Sequence, residues 1–548
     1  MALPQLTPQA VPADTQRVAE RIFPQGNRYL LLRHKLGNLY TDAHFATLFE
    51  SDQGRPAESP GRLALVTILQ YVENVSDRAA AENVRRCIDW KYLLNLPLED
   101  PGFHFSVLQS FRQRLLAGGA ELDLLQILLQ QVQALGLFKK RGTQRTDATQ
   151  VLAAVRELNR LECVGETLRH ALEVLATAVP HWLQSWVPAD WFTRYGQRFE
   201  NYRLPHTRAE RDALAAQIGR DGHTLLAACQ ADTVPGKLGE LPALQVLAQV
   251  WAQQYTGTGT DLRWRTKDEL PPGAELIISP YDAEARLSVK RQQTWQGYKV
   301  HLTETCDPET PHLITHVATT LSTTPDVDIT ATVHTDLQQQ GRLPETHLVD
   351  CAYVDAQLLV DSPATYGVEL LGPVIPDHSW QARAAAGFAA AQFSIDWDAR
   401  QATCPQGHTT PLWSTTQFPN GEPAIRIRFP HATCAACAQR ALCTRAQDCG
   451  RTLTVHPQAA HIALSARRQE QTTDTFKQQY QPRAGVEGTI AQAVTFGLRR
   501  SRFVGLAKTH FQHICVAVAI NLMRLVDWWQ DTPRATTRHS RFAALAPT

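Results

Sequence analysis

Apolar residues recur at intervals of three and four over much of the first 120 residues, a spacing typical of amphipathic helices. These runs begin near Tyr29, Gly61, Ser76 and Phe105. Ser76 is a good N-cap, Ser106 is expected to cap the last run, and Gly118 is expected to end it. Residues 1 to about 25 are proline-rich and predicted to be irregular. The pattern predicts a helical N-terminal domain over 1–136, with arginines that suit DNA contact or an ordinary solvated surface.

The middle of the chain changes to short stretches with β-branched and apolar residues, which favour strands. The predicted strands have the sequences RTDAT, ELIISP, WQGYKVHLTETC, HLITHVATTL, HLVD and GVELLGPVI. A mainly helical pattern over 155–270 separates the first of these from the others, with a turn expected at GRDG. The chain is therefore expected to be of the mixed α/β class, with a core formed by 137–154 and 271–376 and a helical insertion between them.

The rest of the chain divides into three predicted parts. Residues 377–455 are rich in cysteine and are expected to be irregular. Helical spacing returns over 456–530, first around Tyr480 and then in a long apolar run. The final part, 531–548, contains proline, threonine and arginine and is expected to form a flexible tail.

Composition narrows the functional classes. The 548 residues carry a formal net charge of +1, so nucleic-acid binding would have to depend on local basic patches. The N-terminus lacks the basic and apolar regions of a signal peptide, and the most apolar stretch, which contains Asn521 and Arg524, is too short to span a bilayer. These features predict a cytoplasmic protein without a membrane partner. The eleven cysteines favour free thiols or a metal site over a disulfide framework.

Four of the cysteines have a spacing that suits a metal ion. A CxxC pair with two further cysteines nearby predicts a closed, structural Zn²⁺ site. Its expected ligands are Cys404, Cys434, Cys437 and Cys443. Free cytosolic thiols are the alternative, and substitution of one ligand by Cys449, His408 or His431 also stays open.

The stretch YQPRAGVEG presents a second kind of chemistry. On a continuous helix, Tyr480, Arg483 and Glu487 would share one face. A surface helix with a simple charge pair is the alternative. Asp147 and Asp350 stand among apolar or β-branched residues at strand positions, where a carboxylate requires a partner or a metal. Together with Glu487 they would supply three oxygen donors of the kind that Mg²⁺ prefers.

These motifs resemble those of the bacterial insertion-sequence DDE transposases, in particular the branch usually called the IS eleven-eighty-two family. The similarity covers nearly the whole chain, through GRPAESPGRLALVTILQYVENVSDRAAAENVR, QRTDAT, SPYDAEAR, VDCAY, the CPQG and CAAC elements, and YQPRAGVEGTIAQAV followed by GLRRSRFVGL. The resemblance implies that Asp147, Asp350 and Glu487 bind the metal and that Arg483 and Tyr480 position the terminal phosphate.

The resemblance also implies a fold and partners. It implies an RNase H-like core with a mixed five-stranded sheet whose first three strands form a meander. The implied activity is cleavage and strand transfer of double-stranded DNA with two Mg²⁺ (or Mn²⁺) ions, by a homodimer on paired transposon ends in the nucleoid. Val494 is a departure, because relatives often have a basic residue at that position of the helix.

A basic segment follows the predicted catalytic helix. It is expected to contact DNA through Arg499, Arg500, Arg502 and Lys508, with a solvated charged surface as the alternative. Two other functions stay open at this stage. One is a transposase-derived protein that binds DNA without cutting it, and the other is a nuclease that does not transpose.

Overall fold

The computed structural model describes residues 10–49, 56–231, 236–290, 292–384 and 387–534. The predicted tail therefore lies outside the described residues from 535 onward. The described part is a mixed α/β structure with a curled mixed sheet and many helices, as the sequence predicts.

Among the residues that the structure describes up to Ala134, seven α-helices form the N-terminal part of the chain. They are α1 (Ala13–Ile22), α2 (Arg28–Leu36), α3 (Pro60–Val72), α4 (Asp77–Arg86), α5 (Ile88–Leu93), α6 (Ser106–Ala117) and α7 (Asp123–Ala134). The expectation of irregular structure up to residue 25 is wrong, because α1 buries Ala19 against neighbouring helices. Ser76 caps α4 by accepting the Ala79 N–H. Ser106 is instead the first residue of α6, and its hydroxyl pairs with the His104 ring.

A helical segment separates the first strand of the central sheet from the others. The first strand is β1 (Thr143–Leu152). The segment after it contains α8 (Arg160–Ala178), α9 (Pro180–Trp186), α10 (Ala189–Tyr195), α11 (Arg208–Ala228), α12 (Pro242–Gln254), β2 (Tyr255–Thr256) and β3 (Arg263–Trp264). The turn expected at GRDG is wrong, because Gly219 and Gly222 lie inside α11. The rings of Tyr255 and Trp251 pack where Cβ atoms of these glycines would stand, so the glycines serve helix packing.

In the described part of the chain the central sheet has six strands, one more than expected. After β1 it contains β4 (Arg286–Lys290), β5 (Gln293–Thr305), β6 (Ile314–Leu321), then after α13 (Val327–Gln339) β7 (Thr346–Leu348), and after α14 (Leu358–Asp361) β8 (Glu369–Leu371). β5 pairs antiparallel with β1, β4 and β6, whereas β7 pairs parallel with both β1 and β8. The additional strand is β4, which pairs antiparallel with the start of β5.

The segment ELIISP, which the sequence predicts to be a strand, lies within the described residues and forms no strand. The side chain of Gln253 bonds the backbone there, accepting the Ile277 N–H at 3.0 Å and donating to the Glu275 carbonyl at 3.0 Å. These bonds satisfy backbone groups that a strand would use in a ladder. The segment is therefore apolar without belonging to a sheet.

The cysteine-rich segment is more regular than predicted. It contains α15 (Trp380–Arg383), β9 (Ser394–Asp396), β10 (Gln401–Thr403), β11 (Thr409–Thr410), β12 (Trp413–Gln417), β13 (Pro423–Arg428), α16 (His431–Ala435), α17 (Arg440–Cys443) and β14 (Thr452–Val455). These strands form two three-stranded antiparallel sheets around a small core of their own. Strands of two to six residues carry too little periodicity to be recognised in the sequence.

Four helices complete the described chain: α18 (Gln458–Glu470), α19 (Asp474–Tyr480), α20 (Val486–Thr495) and α21 (Leu506–Trp529). The largest hydrophobic core joins α21 to the N-terminal helices and to the central sheet. Asn521 fastens α21 to the sheet because its side-chain amide bonds both the N–H (2.7 Å) and the carbonyl (2.8 Å) of Ile314. Among the described residues, no helix is long and apolar enough to cross a membrane.

Candidate active site

Asp147 lies in the middle of β1, where threonines favour the extended backbone. Its side chain is 17% exposed and accepts the Ala148 N–H at 2.8 Å. Burial raises the pKa of the Asp147 carboxyl, and the guanidinium of Arg483 opposes that rise. The residue is therefore a mostly buried carboxylate whose charge depends on a cationic partner.

Asp350 follows β7, the parallel neighbour of β1. The register pairs Arg145 with Leu348, so two more residues along both strands bring Asp350 beside Asp147. Its carboxylate accepts the Ala352 N–H at 2.9 Å and so caps a short 3₁₀ turn over Cys351–Tyr353. This cap fixes the carboxylate at the end of the strand.

The continuous helix expected from Tyr480 to Glu487 is wrong. α19 ends at Tyr480, a 3₁₀ turn covers Gln481–Gly485, and α20 begins only at Val486. Pro482 explains the break, since it has no N–H for the helical ladder and restricts the backbone of the residue before it. Glu487 consequently stands in the first turn of its own helix and is 74% exposed.

Arg483 nevertheless brings the three predicted carboxylates together. Its Nη2 lies 2.8 Å from Asp147 Oδ2 and 3.6 Å from Asp350 Oδ2, and its Nη1 lies 3.9 Å from Glu487 Oε1. The guanidinium side chain is only 13% exposed, and its buried Nε has no hydrogen-bond partner among the described residues. One cation is thus the shared counter-ion of carboxylates from a strand, a strand end and a helix.

Tyr480 borders this cluster. Its ring stacks on Phe476 with a centroid distance of 5.6 Å. Burial raises the pKa of the Tyr480 phenol to about 12, so the hydroxyl stays protonated near neutral pH. A neutral phenol is a hydrogen-bond donor and brings no charge of its own.

The donors match a hard divalent cation in kind, because all three are carboxylates. Their present arrangement is different: among the residues that the structure describes, no group of three or more His, Cys, Asp or Glu side chains is placed to hold a metal ion. The Arg483 guanidinium lies where the three carboxylates converge. A metal-bound arrangement therefore requires this guanidinium to move away from the carboxylates.

The four predicted zinc ligands lie around one cavity of about 30 Å³, which His408 also lines. All four are free thiols, and Cys434 Sγ accepts the Arg451 N–H at 3.4 Å. The structural zinc prediction is not supported by the present geometry, since the described part of the chain contains no cluster with metal-ligand geometry.

The basic residues after α20 have different environments. Arg502 donates to the Val75 carbonyl at 3.0 Å and lies 4.8 Å from the Tyr71 ring centre, so it joins this segment to the N-terminal helices. Arg499 donates to Thr149 Oγ1 of β1 at 2.9 Å. Arg499, Arg500 and Lys508 are exposed, whereas Arg502 is half-buried. Exposed cations are the better placed of the four to meet a phosphate backbone.

Sequence reasoning missed two charged residues close to this site. Burial raises the pKa of the Asp147 carboxyl, and Lys290, at the end of β4, opposes that rise. The pairing of β4 with β5 that brings Lys290 close was not indicated by the pattern. Glu304 lies on β5 beneath the site, where it is completely buried. The available signal for it was its carboxylate, the only acidic group in WQGYKVHLTETC.

Two parts of the chain are similar to family models of transposase domains. Residues 403–526 match the transposase DDE domain, and residues 17–114 match a transposase domain (DUF772). The first match contains the four cysteines, Arg483 and Glu487, whereas Asp147 and Asp350 lie outside it. Comparisons with curated proteins and with solved structures gave no match.

The class that these matches indicate is therefore that of transposition enzymes. More particularly, they support an insertion-sequence DDE transposase. Enzymes of this class act on DNA and generally use a divalent metal such as Mg²⁺.

Proposed function

We propose that this protein binds the terminal inverted repeats of its own insertion sequence and catalyses strand cleavage and strand transfer, with Asp147, Asp350 and Glu487 as the metal-binding triad. The observation that carries the proposal is the meeting of these three carboxylates on Arg483, although they are contributed by β1, the end of β7 and α20. A buried guanidinium balances charges that would otherwise repel one another.

The sheet topology supports an RNase H-like core for this site. Apart from β4, the strands lie in the order β6-β5-β1-β7-β8, with the first three antiparallel and the last two parallel to β1. In this order β1, which carries Asp147, is the neighbour of β7, which Asp350 follows. The interpretation also agrees with the proposed membership of the IS eleven-eighty-two branch.

The proposed chemistry assigns separate tasks to the charged groups. Two bound Mg²⁺ or Mn²⁺ ions would supply activation of the attacking oxygen and stabilisation of the leaving oxygen in an in-line phosphoryl transfer. The three carboxylates hold the ions. Arg483, once released from the carboxylates, pairs with a DNA phosphate, and the neutral Tyr480 hydroxyl donates to the same group.

DNA binding is proposed for the exposed cations after α20 together with the N-terminal helices. Arg500 and Lys508 are free to approach a backbone, and Arg499 lies beside β1. Binding in the nucleoid as a homodimer on paired ends completes this proposal, because strand transfer must bring two transposon ends together.

A DNA-binding protein without catalytic activity is the second candidate. Two observations favour it: Arg483 occupies the place between the carboxylates, and the exposed Val494 stands where relatives often have a cation. This candidate binds the inverted repeat but makes no nick in Mg²⁺ or Mn²⁺. A nuclease without transposition, the third candidate, would cut DNA lacking the repeat and yield no joined product.

The cysteine cavity is proposed as a structural Zn²⁺ site, with small movements of Cys404, Cys434, Cys437 and Cys443 completing the tetrahedron. Support comes from the common cavity of the four thiols and from the N–H···S bond to Cys434. Purified protein is expected to contain about one zinc per chain by mass spectrometry of metals. Cys437→Ser should lose it, and zinc-free wild-type protein would contradict the site.

The activity is tested with DNA from both sides of the element's ends. Wild-type protein should bind the inverted repeat and cut it in Mg²⁺, whereas Asp350→Asn should bind equally well and cut at least 1,000-fold more slowly, on the order of removing a metal ligand. Asp336→Asn is a matched control, because Asp336 bonds His316 away from the triad. Equal cleavage by Asp350→Asn would refute the assignment.

A further inference from the structure

Glu304 is a completely buried carboxylate that does not belong to the proposed triad. It lies on β5 directly opposite Arg145 of β1, whose Nη2 is 2.6 Å from Oε1. Arg524 of α21 contacts the other oxygen, Oε2, at 2.5 Å. Burial by itself raises the pKa of Glu304, but the guanidiniums of Arg524 and Arg145 hold it below its ordinary value. The side chain is therefore an ionised group between two cations.

The first of these cations also holds the turn that carries Arg483. Arg145 stands two residues before Asp147 on the same strand and donates from Nη1 to the Pro482 carbonyl. Gly485 makes this approach possible, because a Cβ there would stand 2.2 Å from Arg145 Nη1. One side chain thus connects the strand of Asp147 with the turn of Arg483.

The second oxygen of Glu304 holds the helix that carries Glu487. Thr489 lies two residues further along α20 and donates to Glu304 Oε2 at 2.6 Å. Arg524 donates to Thr489 Oγ1 at 2.6 Å and to Gln492 Oε1 at 2.9 Å. α20 is consequently fixed at two positions on one side, both by the partners of a single carboxylate.

We propose that Glu304 is a positioning residue, which acts through Arg145, Arg524 and Thr489 to hold α20, and with it Glu487, in place relative to Asp147 so that the carboxylates can bind a divalent cation once Arg483 moves away. These four residues, the Glu304 network, are not proposed to touch DNA or metal. The inference rests on the proposed function and names the residues that hold its metal ligands in position. Groups that orient metal ligands typically change metal affinity by about 10–100-fold when they are lost.

The test measures Mn²⁺ binding to the full-length protein without DNA, by electron paramagnetic resonance titration of free Mn²⁺. Thr489→Val removes only the hydroxyl, and about tenfold weaker Mn²⁺ binding is expected, whereas Thr489→Ser keeps the hydroxyl and should bind as wild type does. Glu304→Gln should weaken binding further. Glu166→Gln is the matched control, since Glu166 is equally buried and paired with Arg169 in the helical insertion.

Each result decides the matter. Weaker Mn²⁺ binding by Thr489→Val with normal binding by Thr489→Ser and Glu166→Gln supports positioning. Unchanged Mn²⁺ binding by folded Thr489→Val overturns the positioning role, even if the variant is thermally less stable. If Glu304→Gln fails to fold, the comparison of Thr489→Val with Thr489→Ser still decides between the two outcomes. Wild-type protein that binds no Mn²⁺ likewise overturns it. Wild-type protein that binds Mn²⁺ through Asp147 but never cuts DNA leaves positioning intact and refutes the proposed function.

Discussion

The exchange of Arg483 for a divalent cation can be tested by removing the guanidinium. Arg483→Gln leaves Asp147 mostly buried beside Asp350 without its partner at 2.8 Å. Breaking a buried ion pair costs about 3–5 kcal/mol. The loss in the free energy of unfolding has an upper limit, because Asp147 can be protonated instead of remaining charged without a partner. Protonating an ordinary aspartate at pH 7 costs about 4 kcal/mol. The exposed Glu487 contributes little. A loss of about 3 kcal/mol is expected.

The assay is thermal unfolding with and without Mg²⁺. In EDTA the transition of the catalytic core in Arg483→Gln should lie about 6–12 °C below that of wild type, from about 2–4 °C per kcal/mol. Mg²⁺ at 100 times its Kd would raise the free energy of unfolding by about 2.7 kcal/mol. The recovery should be larger in the variant than in wild type, because Mg²⁺ no longer competes with a guanidinium.

Arg112→Gln supplies the control for this measurement. Arg112 is also largely buried and pairs with a single carboxylate, that of Asp77, at 2.5 Å. Its loss should lower stability without creating a place for a cation. If Mg²⁺ raises the unfolding temperature of Arg483→Gln no more than that of Arg112→Gln, the carboxylates do not form a cation site and the reasoning is refuted.

Two further predictions concern pH and salt. Burial lowers the pKa of His334 to about 4 and that of His513 to about 3, so both are neutral in the fold. In the unfolded chain these histidines are protonated below about pH 6.5, so the free energy of unfolding should be highest above that pH and should fall towards pH 4. In urea titrations the fall should reach up to about 1.4 kcal/mol per pH unit for each histidine. A free energy of unfolding that does not change over this range would contradict the prediction. For DNA binding, Arg500→Gln should reduce the log–log salt slope by about 0.9. Arg502→Gln should leave the slope unchanged and lower stability, and the reverse pattern would contradict the assignment of these two arginines.

The strands of the sheet were the most predictable part of the fold. β-Branched residues around Asp147 and the apolar run before Asp350 indicated strands. Asp147 lies in β1, and Asp350 follows β7, which is the parallel neighbour of β1. Pro482 indicates the interruption in the sequence, although the spacing of Tyr480, Arg483 and Glu487 fits a continuous helix. Proline has no backbone N–H to donate, so it interrupts the α-helix in spite of that spacing.

Long-range arrangements could not be predicted in the same way. Gly219 indicates a turn when only its neighbours are considered, yet the Tyr255 ring requires a glycine inside a helix at that point. The partners of Glu304 come from positions 159 to 220 residues away, and no local pattern encodes such distances. The placement of Arg483 among the carboxylates likewise depends on how the chain folds.

The most direct test of the central claim maps DNA ends. Wild-type protein and Glu487→Gln are incubated in Mg²⁺ or Mn²⁺ with DNA that spans the boundary of the element, and each strand is sequenced for new 3′-hydroxyl ends. The account predicts breaks at the inverted-repeat boundary with wild-type protein and none with Glu487→Gln. Binding at the repeat without breaks from either protein would contradict it and establish a DNA-binding protein that does not cut.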